Sequence, residues 1–270
     1  MKLRLPSLIL HFSFFLLPSS FFLFLSGCSQ PNGGEARWPV MGTIAQVQWN
    51  DNKDVSLGNG LVTESVRFYF AEIEKLLNAH DPESELCRLA VLSDEEILAQ
   101  CNPLVRPCYV AAFKLRDETG GVFNPRWRGQ KTMDLGAIAK GFAVDLAAEN
   151  FSSLRRDWGD WRILLDLGGN LKSVGTYGWR VGVKDGETFK LNPGEACATS
   201  AEYYRGKHIR DGRSGAECTN TVYSVTVVHP TSAMLADGLS TVCFLLGRER
   251  GERFLKEKYP GARAYWVTSQ

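Results

Sequence analysis

The chain has 270 residues, 44% hydrophobic and 23% charged, with 31 Lys and Arg against 30 Asp and Glu. That apolar content excludes a disordered chain, and the near-zero net charge excludes a globally basic body built to bind nucleic acid. Seven cysteines in this length are too few for a disulfide scaffold, and none stands in a C-x-x-C pair that would suggest zinc.

Lys2 and Arg4 precede a Phe- and Leu-rich run from Leu8 to Leu25, which reads as a secretory signal. A retained transmembrane anchor is the alternative, although His11 and Pro18 interrupt the run. The ending Leu25-Ser26-Gly27-Cys28 resembles the lipobox of bacterial lipoproteins and favours cleavage before Cys28, with lipidation of its thiol. Residues 1–27 are then a signal peptide, 28–37 a polar lipid-anchored tether, and 38–270 a single body. Such an anchor holds the body on the extracytoplasmic (periplasmic) side of a bacterial cell membrane without spanning it.

Along the body, Ile44 to Trp49 alternates as a strand after a turn at Met41-Gly42-Thr43. From Leu61 to Asn78, Val62, Val66, Tyr69, Phe70, Ile73 and Leu77 share one helical face, stopped at His80-Asp81-Pro82. Asp81 suits the cap of a short helix with Pro82 at its first position. Ser93 and Glu96 have capping-box spacing, and a helix over Tyr109 to Glu118 ends at Gly120-Gly121. Ala137 to Phe151 predicts a helix with Ile138, Phe142 and Leu146 inward. Strands follow over Arg162 to Asp166, Leu171 to Val174, Trp179 to Val183 and Val222 to Val228. A helix over Ala233 to Leu246 and a last strand over Ala262 to Val267 complete the chain. Strands and helices mix without βαβ repetition, so the expected fold class is α+β: one compact domain with largely antiparallel sheets flanked by helices.

Four segments suggest chemistry. In Asp134-Leu135-Gly136-Ala137-Ile138-Ala139-Lys140-Gly141 a carboxylate precedes a glycine turn, and a lysine follows on the first helical turn. A helix N-terminus with an added lysine attracts phosphate, although a solvated lysine on a strand-to-helix turn has the same spacing. Asp237, Ser240 and Thr241 stand at i, i+3 and i+4, so three side-chain oxygens share a helix face. A hard cation such as Mg²⁺ takes oxygens of that kind, while hydroxyls bonded to backbone carbonyls are the plainer alternative. His208 opens a polar, glycine-containing turn to Gly215, and a histidine there is suited to take a proton near neutral pH. Gly120 to Arg126, with Phe123 and Asn124, reads by itself as a helix C-cap and turn.

Taken in order, these segments resemble the ApbE-like family of FAD:protein FMN transferases. Asp134 to Gly141 resembles its D-L-G-x-I-A-K-G signature, and Asp166-Leu167-Gly168-Gly169-Asn170 its N-L-G-G-D turn. Thr199 to Tyr203 resembles T-S-G-x-Y, His208 to Gly215 resembles H-I-I-D-P-x-T-G, and Ala236 to Thr241 resembles A-D-A-L-S-T. The resemblance implies a T-fold-like architecture and a Mg²⁺-dependent reaction. In it the FMN half of FAD moves to a Ser or Thr of an acceptor flavoprotein, a phosphoester forms and AMP leaves. It implies acceptors among the subunits of membrane redox complexes.

By the same resemblance, Asp134 and Lys140 contact FAD, and Met41, His80, Phe123 and Asn124 line its flavin or adenine site. The Ala137 carbonyl, Asp237 and Thr241, with Ser240 in reserve, hold the metal, and His208 is the base. The chain departs from the family pattern at His80 (often Tyr), Asn124 (often Asp), Ala201 (often Gly) and Gly212 (often Pro), and in a short connection from Phe123 to Asp134. Two other outcomes share these residues: an FAD pyrophosphatase giving FMN and AMP, and a lipoprotein that binds FAD without turnover.

Overall fold

The computed structural model describes residues 33–51, 60–154, 160–183, 186–201 and 209–268. Cys28 and the N-terminal apolar run lie outside them, as does His208. Among the described residues no helix is long and apolar enough to cross a membrane.

The chain opens with a hairpin of β1 (Gly33–Val40) and β2 (Thr43–Asp51), paired along its length from Gly33↔Asn50 to Val40↔Thr43. Residues 33–37, expected as tether from their polar composition, are the first part of β1. Their partners on β2 satisfy their backbone groups, a contact that local composition does not encode. Met41 and Gly42 link the strands with positive φ at both positions (51° and 66°), the conformation that a two-residue hairpin turn requires.

Helix α1 (Leu61–Leu77) carries the expected inward face: Val62, Val66, Phe70, Ile73 and Leu77 are buried. After it come α2 (Glu85–Leu89), α3 (Asp94–Gln100) and α4 (Arg106–Glu118). The Ser93 capping box forms in both directions: Ser93 Oγ accepts the Glu96 N–H at 3.3 Å, and the Glu96 carboxylate accepts the Ser93 N–H at 2.9 Å. The short helix is capped differently from expectation. Asp81 accepts the Glu83 N–H in a local turn, and Ser84 caps α2 by accepting the Cys87 N–H. A carboxylate before Pro satisfies its own turn first, which moves the helix start three residues on.

Next come α5 (Ala139–Leu154), β3 (Trp161–Leu167), β4 (Asn170–Gly175), β5 (Trp179–Gly182), β6 (Thr188–Leu191), β7 (Ala196–Ala201) and β8 (Val222–His229). The last described elements are α6 (Ala233–Leu246), α7 (Arg248–Lys258) and β9 (Arg263–Thr268). Seven strands form one sheet in the order β1-β2-β3-β4-β7-β8-β9, and every neighbouring pair is antiparallel. The expected α+β class with largely antiparallel sheets is therefore observed. Besides β1, sequence reading missed β6, β7 and α7, whose short or strongly charged stretches carry little periodic signal.

The sheet is covered on both faces. Helices α5 and α6 pack on one face, where Ile163, Leu165, Leu167, Val225 and Val227 meet Val144, Leu239 and Val242 in the main core. The β5–β6 ribbon caps part of the other face through Leu164, Leu171, Cys197 and Val228 against Trp179, Phe189 and Leu191. The register places three features at one end of the sheet: the Met41-Gly42 turn, the Gly168-Gly169 turn and the C-terminal end of β7. The Gly168-Gly169 turn bonds to the start of β2, Gly168 donating to the Ile44 carbonyl at 3.2 Å.

Asp145 on α5 fixes α6 against the sheet. Its carboxylate accepts from the Ala233 N–H at 2.8 Å, the Met234 N–H at 3.0 Å and the Ser232 hydroxyl at 2.8 Å, so it caps α6 from another helix. Lys172 on β4 pairs with the same carboxylate at 2.7 Å, both side chains largely buried. Asp145→Ala should lower stability by about 2–4 kcal/mol, because it removes a cap and leaves a lysine unpaired. Lys172→Met in that background should recover part of the loss. The urea-unfolding midpoints of the three chains check this.

Candidate functional site

The site grows from the crossing of α5 and α6. Gly141, on the first turn of α5, lies against α6 so closely that a Cβ there would stand 2.2 Å from the Ala233 carbonyl oxygen and 2.9 Å from Asp237 Cβ. Only glycine allows this approach. In return the Gly141 N–H donates to Asp237 Oδ2 at 3.1 Å. Asp237 is buried, and burial pushes its carboxyl above the usual range, against the opposing pull of the Lys140 charge and the Gly141 N–H. The lysine-bearing turn and the Asp237 face, 96 residues apart, therefore meet.

The turn itself is held from within. Asp134 Oδ1 accepts the Gly136 N–H at 2.8 Å, and its Oδ2 faces Arg128 at 3.4 Å. The Asp134 N–H donates to the Pro125 carbonyl at 2.8 Å, and Lys140 Nζ folds back to the Gly136 carbonyl. Ala137, proposed as a carbonyl ligand from the resemblance, lies half-buried within this turn.

On α6, Ser240 is fully enclosed. It donates to the Asp237 carbonyl at 2.8 Å and meets Ser200 Oγ, from β7, at 2.8 Å. Thr241 is half-buried, with Oγ1 at 3.2 Å from Ser200 Oγ. The plain reading of a hydroxyl bonded to a backbone carbonyl thus holds for Ser240, and Thr241 is the more accessible oxygen of the pair. Among the described residues no three His, Cys, Asp or Glu side chains gather as a metal cluster. The donor set at the crossing is one carboxylate with neutral oxygens. It fits a hard divalent cation that keeps substrate or water oxygens, and it does not fit zinc.

Two more of the segments are joined by backbone. Asn124 Nδ2 donates to the Gly212 carbonyl at 3.0 Å, and the Gly212 N–H donates to the Val122 carbonyl at 2.8 Å. Asp211 accepts from the Arg213 N–H and Nε, and Arg213 holds its carboxyl below the ordinary value. This fixes the segment that follows His208, which itself lies outside the described residues. Phe123 is buried in the main core. Met41 is presented by its hairpin turn, its N–H donating to Glu74 Oε1 at 2.8 Å. His80 is exposed after α1, its backbone N–H bonded to Asn78 Oδ1 at 2.9 Å, and it is not brought to the Asp134 or Asp237 groups by any described contact. Sequence reading gave no role to Gly141, Glu74 or Ser200. Gly141 and Ser200 carried a signal, through their places in the Asp134-to-Gly141 and Thr199-to-Tyr203 segments, and Glu74 carried none.

Near the same sheet end, Asp166 accepts the Gly169 N–H at 2.8 Å, and burial pushes its carboxyl up to about 6 despite the Arg37 charge. In the unfolded chain it ionises near its ordinary value of 3.8. Between these values the folded state holds a proton that the unfolded state has lost, so stability falls as pH rises through the window. Asp166→Asn, which places the family's residue here, should flatten that fall. At neutral pH the variant should gain about 1–3 kcal/mol over the parent relative to their difference at acid pH. Urea unfolding of both chains across pH 4 to 7 measures it.

The model of the ApbE family matches residues 126–266, more than half of the chain. A FAD:protein FMN transferase of Treponema pallidum is 33% identical over 162 residues, 50% of this chain and 43% of that protein. One of Vibrio cholerae is 33% identical over 138 residues, 44% of this chain and 40% of that protein. The matched stretches thus span less than half the length of these relatives. Among solved structures, the apo flavinyl transferase ApbE of Pseudomonas stutzeri superposes with a TM-score of 0.73 at 20% identity, covering 88% of this chain and 92% of that one. The ApbE protein of Thermotoga maritima gives 0.70 at 22% identity, covering 88% and 94%. At these identities the superpositions carry the fold, and the sequence match from residue 126 to 266 carries the kinship: the chain belongs to the ApbE family.

Proposed function

We propose that the protein is a Mg²⁺-dependent transferase that moves the FMN half of FAD to a Ser or Thr hydroxyl of an acceptor flavoprotein, releasing AMP. The observation that carries this reading is the meeting of the lysine-bearing turn with Asp237 of α6, through Gly141 and the Lys140 charge, across the α5–α6 crossing. The names of the Treponema and Vibrio relatives support the same activity. The acceptors in this reading are subunits of membrane redox complexes, and Cys28 carries the lipid that keeps the enzyme on the extracytoplasmic side of the membrane.

Phosphoryl transfer from a diphosphate is mainly positioning and charge neutralisation. Asp237 and Thr241, with the Ala137 carbonyl, would hold the ion, which would supply positive charge to offset that of the diphosphate. Lys140 and the N-terminal turn of α5 attract the diphosphate oxygens. Asp134 keeps that turn in shape by accepting the Gly136 N–H. His208 takes the proton from the acceptor hydroxyl, which is too weak a nucleophile alone. Met41 and Asn124 border the dinucleotide. The short connection from Phe123 to Asp134 favours a second reading, in which the site is less shielded and water attacks, giving FMN and AMP.

Incubation with FAD, Mg²⁺ and an acceptor peptide, followed by mass spectrometry, should give an FMN-sized adduct and one AMP per adduct. AMP without adduct would establish the hydrolase instead, and FAD binding with neither product a binding lipoprotein. Asp237→Ala should abolish metal-dependent turnover. His208→Ala should retain FAD binding and slow the chemical step by about 10²–10⁴. Cys28→Ser should move the protein from the membrane fraction to the soluble fraction of expressing cells.

A further inference from the structure

The hydroxyl chain behind Asp237 has only one consistent direction. Ser240 has a single hydroxyl proton, and it goes to the Asp237 carbonyl, which can only accept. The 2.8 Å contact between Ser200 Oγ and Ser240 Oγ must then be filled by the Ser200 proton. With that proton used, the 3.2 Å contact between Ser200 Oγ and Thr241 Oγ1 must be filled by the Thr241 proton. The order is Thr241 to Ser200 to Ser240 to the Asp237 carbonyl. Ser200 and Ser240 are buried, whereas Thr241 is half-buried. The Thr241 proton is therefore taken up by Ser200, and its lone pairs are left for the helix face that it shares with Asp237, one helical turn away.

From this we infer that Ser200 is a positioning residue: it fixes the Thr241 hydroxyl as an oxygen donor toward a divalent cation held with Asp237. The inference rests on the metal role proposed above for those two residues. Its physical content is a rotor. A free threonine hydroxyl places its proton toward a cation in some orientations and its lone pairs in others, and an acceptor behind it removes the unproductive ones. Ser200 also tethers β7 to α6 at two successive residues, which keeps the sheet end and the cation-facing side of the helix in fixed relation.

The test is a Mn²⁺ titration of the full chain in the presence of FAD, with free ion counted by electron paramagnetic resonance. Four proteins are compared: parent, Ser200→Ala, Thr241→Val and the double variant, each checked for an intact thermal transition. The expected result is a loss of about 10-fold in Mn²⁺ affinity for Ser200→Ala. Thr241→Val should lose at least as much, and the double variant should be no weaker than Thr241→Val alone, since Ser200 acts through Thr241. Ser200→Ala binding Mn²⁺ as tightly as the parent would overturn the inference, and so would losses that add in the double variant. A parent that binds no Mn²⁺ at all would instead remove the metal role on which the inference rests.

Discussion

The site depends on the contact between Gly141 and Asp237. Two helices can approach at backbone distance only where one of them lacks a side chain, and Gly141 supplies that gap at the start of α5. The approach brings the Gly141 N–H to the Asp237 carboxylate and, one residue away, the Lys140 charge. Asp145, one turn further along α5, secures the same crossing by capping α6 and pairing with Lys172 of the sheet. The lysine-bearing turn and the oxygen-bearing helix face are thus two sides of one packing contact.

The electrostatics of that contact are incomplete. A buried carboxylate costs free energy unless its charge is met, and the Gly141 N–H with the Lys140 charge offsets the burial of Asp237 only in part. The neighbouring hydroxyls do not finish the task, because Ser240 spends its proton on a backbone carbonyl. What is left is a buried carboxyl with neutral oxygens near it, an oxygen set of the kind that a hard cation takes. Asp166 shows the contrast: it also lies under a burial penalty, yet it faces the other side of the sheet beside Arg37 and serves its own turn.

Much of the architecture was legible because burial imposes a period. The buried face of α1, the Ser93 capping box and the full length of α6 follow from the spacing of apolar residues and from local cap chemistry. The pieces that escaped were those whose structure is supplied by a partner. Residues 33–37 are polar and look like a tether, but pairing with β2 makes them strand. The start of α2 passed from Asp81 to Ser84 because the earlier carboxylate was drawn into its own turn. Of the candidate site, Asp134, Lys140, Asp237 and Thr241 stood out by type and spacing with a plainer reading open for each, and the family resemblance gave them their roles. His80 and Phe123 carried no sign that one would be exposed and the other enclosed in the core.

By itself the sequence determined which groups are available: a lysine one turn into a helix, one carboxylate with two hydroxyls on another helix, and a series of short motifs in family order. Local rules suffice for these, since spacing along a helix fixes which side chains share a face. The tertiary structure alone decided that the two helices cross at a glycine, that Ser240 is consumed by its own backbone while Thr241 is not, and that a serine from a distant strand stands behind both. Those outcomes depend on long-range packing distances, and no single segment contains both partners of such a contact.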